Sequence, residues 1–118
     1  MQTERFNDRG FLSDAVARGP LIWIAGTVSN PQLAGIEAQT RDVLAEIDRR
    51  LAHFGASRAE LLNVNIWLAD IEDWAAMNTV WSEWIGGIPS PARAVVGAQL
   101  MRPFLVEIAG VAYRAEPG

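Results

Sequence analysis

The sequence predicts an α+β domain, a mixed β-sheet with two helices packed on one face. Residues 61–69 alternate apolar and polar side chains as a half-buried strand does, and apolar residues return at helical spacing over 35–54 and again over 71–85. Further apolar runs, at 21–25, 92–99 and 104–113, supply the rest of the sheet. The order is β-β-α-β-α-β-β in a single domain spanning 1–118, because 118 residues make one core.

The first segment, Met1-Gln2-Thr3-Glu4-Arg5-Phe6-Asn7-Asp8, is polar and mixed in charge, and 1–8 reads as a flexible arm. Residues 11–18 read as a first short strand or arm, and Gly19-Pro20 turns it into Leu21-Ile22-Trp23-Ile24-Ala25, an uninterrupted apolar run. A loop over 26–31 leads to an amphipathic helix with Ile36, Val43, Leu44, Ile47, Leu51 and Phe54 on its inner stripe, ended near Gly55. In the strand over 61–69, Leu62, Val64, Ile66 and Leu68 take one face and Asn63, Asn65 and Trp67 the other. Asp70 caps the second helix, whose Trp74, Met77, Trp81 and Trp84 recur in steps of three and four, and Gly86-Gly87 stops it. The last two strands are joined by a tight connection through Met101-Arg102-Pro103, and 114–118 is a tail.

Composition excludes several classes of function. Ten basic residues stand against 14 acidic ones, net −4, with no basic cluster, so nucleic acid is not an expected partner. Cysteine is absent, which removes disulfides and thiolate chemistry. Apolar runs far shorter than the roughly 18 residues of a membrane span predict a cytoplasmic protein with no membrane partner. Half the residues are hydrophobic, a load that predicts burial against other subunits.

Two charges interrupt the apolar strands: Arg93 in Pro91-Ala92-Arg93-Ala94-Val95-Val96, and Glu107 in Phe104-Leu105-Val106-Glu107-Ile108-Ala109. If both strands alternate regularly, Arg93 and Glu107 share the helix-free face with Asn63 and Asn65. They then form either a cross-strand ion pair, contributing about 0.2–1 kcal/mol, or a ligand set. As a ligand set, the guanidinium is a two-pronged donor for a carboxylate and the glutamate orients a water. Small 2-oxo or 2-imino acids suit that geometry. His53, the single histidine, reads as a surface or capping residue, and the serines have no base to activate them. Trp23 and Trp67, on strands, are better placed to line a cleft than the helical tryptophans.

Gln39-Thr40 within 35–51, then Asn65-Ile66-Trp67-Leu68-Ala69-Asp70-Ile71, Met77-Asn78, Pro91-Ala92-Arg93 and Val106-Glu107-Ile108 resemble the RidA family, also called YjgF, in its YoaB-like branch. The resemblance covers about residues 9–113. It implies a chorismate-mutase-like fold, a homotrimer with clefts between subunits, and hydrolysis of enamines and imines such as 2-aminoacrylate to 2-oxo acids and ammonia, without metal or cofactor. By the same resemblance Arg93 holds the substrate carboxylate and Glu107 positions the attacking water. Val95, Thr27, Trp23 and Asn78 complete the expected substrate-binding set. Leu12 stands where the deaminases have a tyrosine, and Ala25-Gly26-Thr27 where they have Ser-Gly-Gln. The alternative of another class is a non-catalytic trimer that binds a small carboxylate or a partner protein. Such a binder needs Arg93 and tolerates the loss of Glu107.

Overall fold

A computed structural model describes residues 2–115, and residues 116–118 of the expected tail lie outside the described residues. The elements are β1 (Thr3–Asp8), β2 (Ser13–Arg18), β3 (Leu21–Thr27), α1 (Ile36–His53), β4 (Leu61–Leu68), α2 (Trp74–Ile85), β5 (Ala92–Gly97) and β6 (Val106–Tyr113). All six strands form one sheet in the order β1-β2-β3-β6-β4-β5. Every neighbouring pair is antiparallel except β4 and β5. The α+β class and the mixed sheet are as expected, with one strand more at the start.

That added strand corrects the expectation of a flexible arm. β1 pairs with β2 through Thr3↔Arg18 to Asp8↔Ser13. Its sequence is polar because it is an edge strand, where only one side chain, Phe6, packs onto the core. The first residue beyond β6 also ties it down. Arg114, expected in the tail, is buried, donates to Gly19 O at 3.0 Å, and pairs with the Glu4 carboxylate.

The core lies between the sheet and the two helices. Ile22, Ile24, Val64, Ile66, Leu68, Val106 and Ile108 meet Val43, Leu44, Ile47 and Leu51 of α1 and Met77, Val80 and Trp81 of α2. Burying each large side chain contributes about 1.5–3 kcal/mol. α1 carries Glu37 in its first turn and Arg50 and His53 in its last, as the helix dipole favours. Gly55, at φ +78°, turns the chain away just past its end. Asp70 caps a 3-10 turn, Ile71–Asp73, accepting from Glu72 N at 3.0 Å, and α2 follows only from Trp74.

Two assignments of side chains to faces need correction. A register shift between Leu61 and Asn63 buries Leu61 and leaves Leu62 at 45% exposure, while Val64, Ile66 and Leu68 point inward as expected. More consequentially, β5 and β6 are not neighbours, because both flank β4 and residues 98–105 cross its end. β5 runs parallel to β4 with Val64↔Arg93 and Ile66↔Val95, so Arg93 and Val95 lie on the helix-covered face. β6 pairs with β4 through Trp67↔Glu107 and Asn65↔Ala109, which puts Glu107 on the open face. The two charges therefore project from opposite faces of the sheet, and a cross-strand ion pair between them does not form.

Candidate functional site

Arg93 lies on an edge strand, and α2 gives it its surroundings. Asn78, Trp74 and Trp81 fall on one stripe of that helix, four and three residues apart, and that stripe faces β5. Arg93 Nη1 donates to Asn78 Oδ1 at 2.8 Å. The guanidinium carbon sits 5.3 Å from the Trp81 ring and 5.9 Å from that of Trp74, within cation–π range. Burial lowers the pKa of the guanidinium from its ordinary value, and it remains a cation. The cleft beside it, about 340 Å³, is lined by Asn78, Trp81, Ser82, Ile85, Ser90 and Pro91.

What marks Arg93 is the absence of a counter-ion. Of the other arginines removed from solvent, Arg50 pairs with Asp14 and Glu46, Arg58 with Asp48 and Arg114 with Glu4. Arg93 has no carboxylate partner among the described residues; its one protein acceptor is a neutral amide. A partly desolvated cation with free N–H donors has the chemistry to accept an anion. The backbone extends it. Ala98 N is bonded inward to Leu68 O at 2.9 Å, so by alternation the N–H groups of Arg93, Val95 and Gly97 face the open edge. Val95 thus sits beside Arg93 as expected, its side chain half-buried on the core and its amide free.

The open face carries a second group. The Glu107 carboxylate lies over Gly26, where a Cβ would come within 2.2 Å of Oε2, so this approach requires glycine. Glu107 is half-buried, and Trp67 is its cross-strand neighbour. Trp23 is on the same face, 43% exposed. Thr27 joins neither group. It is buried, donates to Ala25 O at 2.8 Å and accepts from Arg50 Nη1 at 2.8 Å, all of it internal structure.

The six expected residues therefore separate into Arg93, Asn78 and Val95 at the β5 edge, Glu107 and Trp23 on the open face, and Thr27 inside. Trp74 and Trp81, ranked in the sequence below the strand tryptophans as cleft residues, flank the guanidinium. Their spacing from Asn78 was the available signal. His53 stacks on Phe6 of β1, ring centroids 4.2 Å apart, at the sheet edge opposite β5. Among the described residues no cluster of three or more metal-ligating side chains forms, and no helix is long and apolar enough to cross a membrane.

Fold and site define a small α+β protein of chorismate-mutase-like architecture with a half-buried arginine, unpaired among the described residues, at one sheet edge. The chain belongs to the family described as Endoribonuclease L-PSP, whose model matches residues 3–114, and its relatives place it in the YjgF/Rid group with YoaB. A RutC family protein of Haemophilus influenzae is 35% identical over 95% of this chain and 98% of its own length. The RutC family protein YoaB of Escherichia coli is 38% identical over 85% of this chain and 88% of its own. Among solved structures, NMB1025 of Neisseria meningitidis, a member of the YjgF protein family, superposes with a TM-score of 0.91 at 39% identity, covering 99% and 98% of the two chains.

Proposed function

We propose that this protein hydrolyses reactive 2-imino acids, and their enamine tautomers, to 2-oxo acids and ammonia, in clefts formed between copies of the chain. The observation that carries this reading is the half-buried Arg93 guanidinium, left without a carboxylate while every other sequestered arginine has one. The substrate carboxylate is the missing anion. It takes two N–H donors from Arg93, with the outward amide of Val95 beside it, while Asn78 and the two tryptophans hold the guanidinium plane.

In this reading water is the nucleophile. All ten basic residues are arginine, so no lysine can form a Schiff base, and no cysteine can form a covalent adduct. Glu107 removes a proton as the water oxygen adds to the carbon of the protonated imine and the C=N pair moves to its nitrogen, giving a neutral carbinolamine. It returns that proton to the amine and then accepts the hydroxyl proton as the carbinolamine collapses, so that the C–N bond breaks and ammonia and the 2-oxo acid leave.

Because Arg93 and Glu107 project from opposite faces of one sheet, they serve one substrate only if they come from different copies. The proposed assembly is a homotrimer in which the β5 edge of one copy meets the open face of the next. The same separation favours one alternative, a protein that binds small carboxylates through Arg93 alone. The deciding experiment measures ammonia and 2-oxo acid release from imines generated in situ by an amino acid oxidase. Acceleration by the wild type, lost in both Arg93→Ala and Glu107→Ala, supports the hydrolase. Carboxylate binding that needs Arg93 and is indifferent to Glu107, without acceleration, supports the binder.

A further inference from the structure

Gln39 is a polar group on the buried stripe of α1, 1% exposed, and no part of the site described above uses it. A buried amide is tolerated where its donors and acceptor have partners. Nε2 donates to Leu33 O at 3.0 Å and to Pro103 O at 3.1 Å, and Oε1 accepts from Leu105 N at 2.8 Å. Both donors and the oxygen are engaged, and every partner is backbone outside α1. Thr40, its buried neighbour, returns its hydroxyl to Ile36 O, a bond within the helix.

The partners of Gln39 lie on the two segments that set Glu107. Leu105 immediately precedes β6 and stands two residues before Glu107. The pairing of β6 with β3 runs no further than Thr27↔Ile108, so the start of the strand is flanked by β4 alone. There Leu105 O accepts from Ala69 N at 3.0 Å, and the Leu105 N–H goes to Gln39. Leu33 belongs to the loop that leaves Gly26 and Thr27 for α1, and Gly26 is the residue beneath the Glu107 carboxylate. One side chain thus fastens both the backbone that carries Glu107 and the loop that follows its floor.

We infer that Gln39 is a positioning residue: without touching the substrate, it fixes the start of β6 so that the Glu107 carboxylate stays over Gly26 and holds the water there. The inference rests on the imine-hydrolase reading and adds a residue to it. Its mark is a loss of turnover without a loss of binding. β5 is paired to β4 from Asn63↔Ala92 to Leu68↔Gly97, so Arg93 keeps its place whatever stands at position 39.

The test compares wild type with Gln39→Met, which fills the space and makes none of the three bonds, and Gln39→Glu, which keeps an acceptor for Leu105 N. Each is assayed on imines generated in situ by an amino acid oxidase, at a temperature where thermal unfolding shows it folded, and calorimetry reads the binding of pyruvate. In Gln39→Met kcat should fall by about 10- to 100-fold, the cost of displacing a reacting group by about 1 Å, while KM and pyruvate affinity stay within about twofold. Gln39→Glu should recover part of that loss. Amide exchange should quicken from Leu105 to Glu107 and stay as in wild type at Val64 and Ile66. An undiminished kcat in folded Gln39→Met, pyruvate binding lost in step with kcat, or exchange raised equally in β4 would overturn the inference. Should Gln39→Met not fold, Gln39→Glu carries the same comparison with a smaller fall in kcat. If wild type hydrolyses no imine, the hydrolase reading fails, and exchange alone decides the anchoring: a rise confined to 105–107 upholds it, and a rise spread through β4 overturns it.

Discussion

Arg50 and Arg93 are both withdrawn from solvent, and the fold treats them in opposite ways. Arg50, on the inner side of α1, donates to Thr27 Oγ1 at 2.8 Å, Asp14 O at 3.0 Å and Glu46 Oε2 at 3.1 Å, with the Asp14 carboxylate at 3.7 Å. Its charge is neutralised and its donors are used. Arg93 has one neutral acceptor, two aromatic faces and an open cleft. A cation committed within the chain ties α1 to β2 and β3; one left uncommitted at an edge keeps free donors, which the proposed function assigns to a substrate anion.

The comparison is broken first by exchanging consequences. Arg50→Ala should cost about 1–3 kcal/mol of stability, because Thr27 Oγ1 and Asp14 O lose a buried donor, while the Asp14 carboxylate keeps Arg9 and Asn7. Urea unfolding reads this directly, and a loss below about 1 kcal/mol would remove the distinction. Arg93→Ala should leave stability within about 1 kcal/mol of wild type, since only one hydrogen bond to a neutral amide is lost. Its kcat/KM on imines should fall by about 100- to 1000-fold, the effect of deleting one strong anion donor in a desolvated site. A large stability loss with activity retained would make Arg93 structural after all.

How much of this was legible in the sequence follows the same line. Elements whose inner faces are mainly apolar were readable, because burial sets their periodicity: α1 with Val43, Leu44, Ile47 and Leu51, and β6 with Val106 and Ile108. β1 was not, since an edge strand held by one core contact and by Arg114 carries no apolar alternation. The face taken by Arg93 was also hidden. In Arg93-Ala94-Val95-Val96 either parity looks half-apolar, and the choice is made by parallel pairing with β4, a long-range fact. Arg93 and Glu107 were singled out from charge in apolar runs, which is a local signal. Their separation onto two faces was not visible, and neither was the use of Thr27 as a partner for Arg50.

A gentler break acts on the other half of the site. Gly26→Ala places a methyl group within 2.2 Å of the Glu107 carboxylate oxygen, and that side chain, half-buried and flexible, must swing away. Gly26 has ordinary backbone geometry, so the fold should tolerate the change. Imine hydrolysis should fall by about tenfold, equivalent to about 1.4 kcal/mol, with carboxylate binding at Arg93 unchanged. Weakened binding with an undiminished rate would mean that Glu107 does not place the water.

The smallest expected effect sharpens the structural side. Burial alone would raise the Asp14 carboxyl, but hydrogen bonds from Arg9 and Asn7 and the nearby charge of Arg50 outweigh it and hold the group below its ordinary value. A carboxyl depressed in the folded state stabilises above its unfolded pKa, about 3.9, and that contribution is lost as pH falls through the lower folded value. Asp14→Asn should therefore be less stable than wild type at pH 7, and the gap should close as the pH falls below about 4. Arg93→Ala should leave the acid slope as it is, because no carboxylate faces that guanidinium among the described residues. Urea midpoints between pH 3 and 7 measure both. An unchanged acid slope in Asp14→Asn would show that the Arg50 network is held by its backbone and hydroxyl acceptors, and the contrast between the two arginines would then rest on hydrogen bonding more than on paired charge.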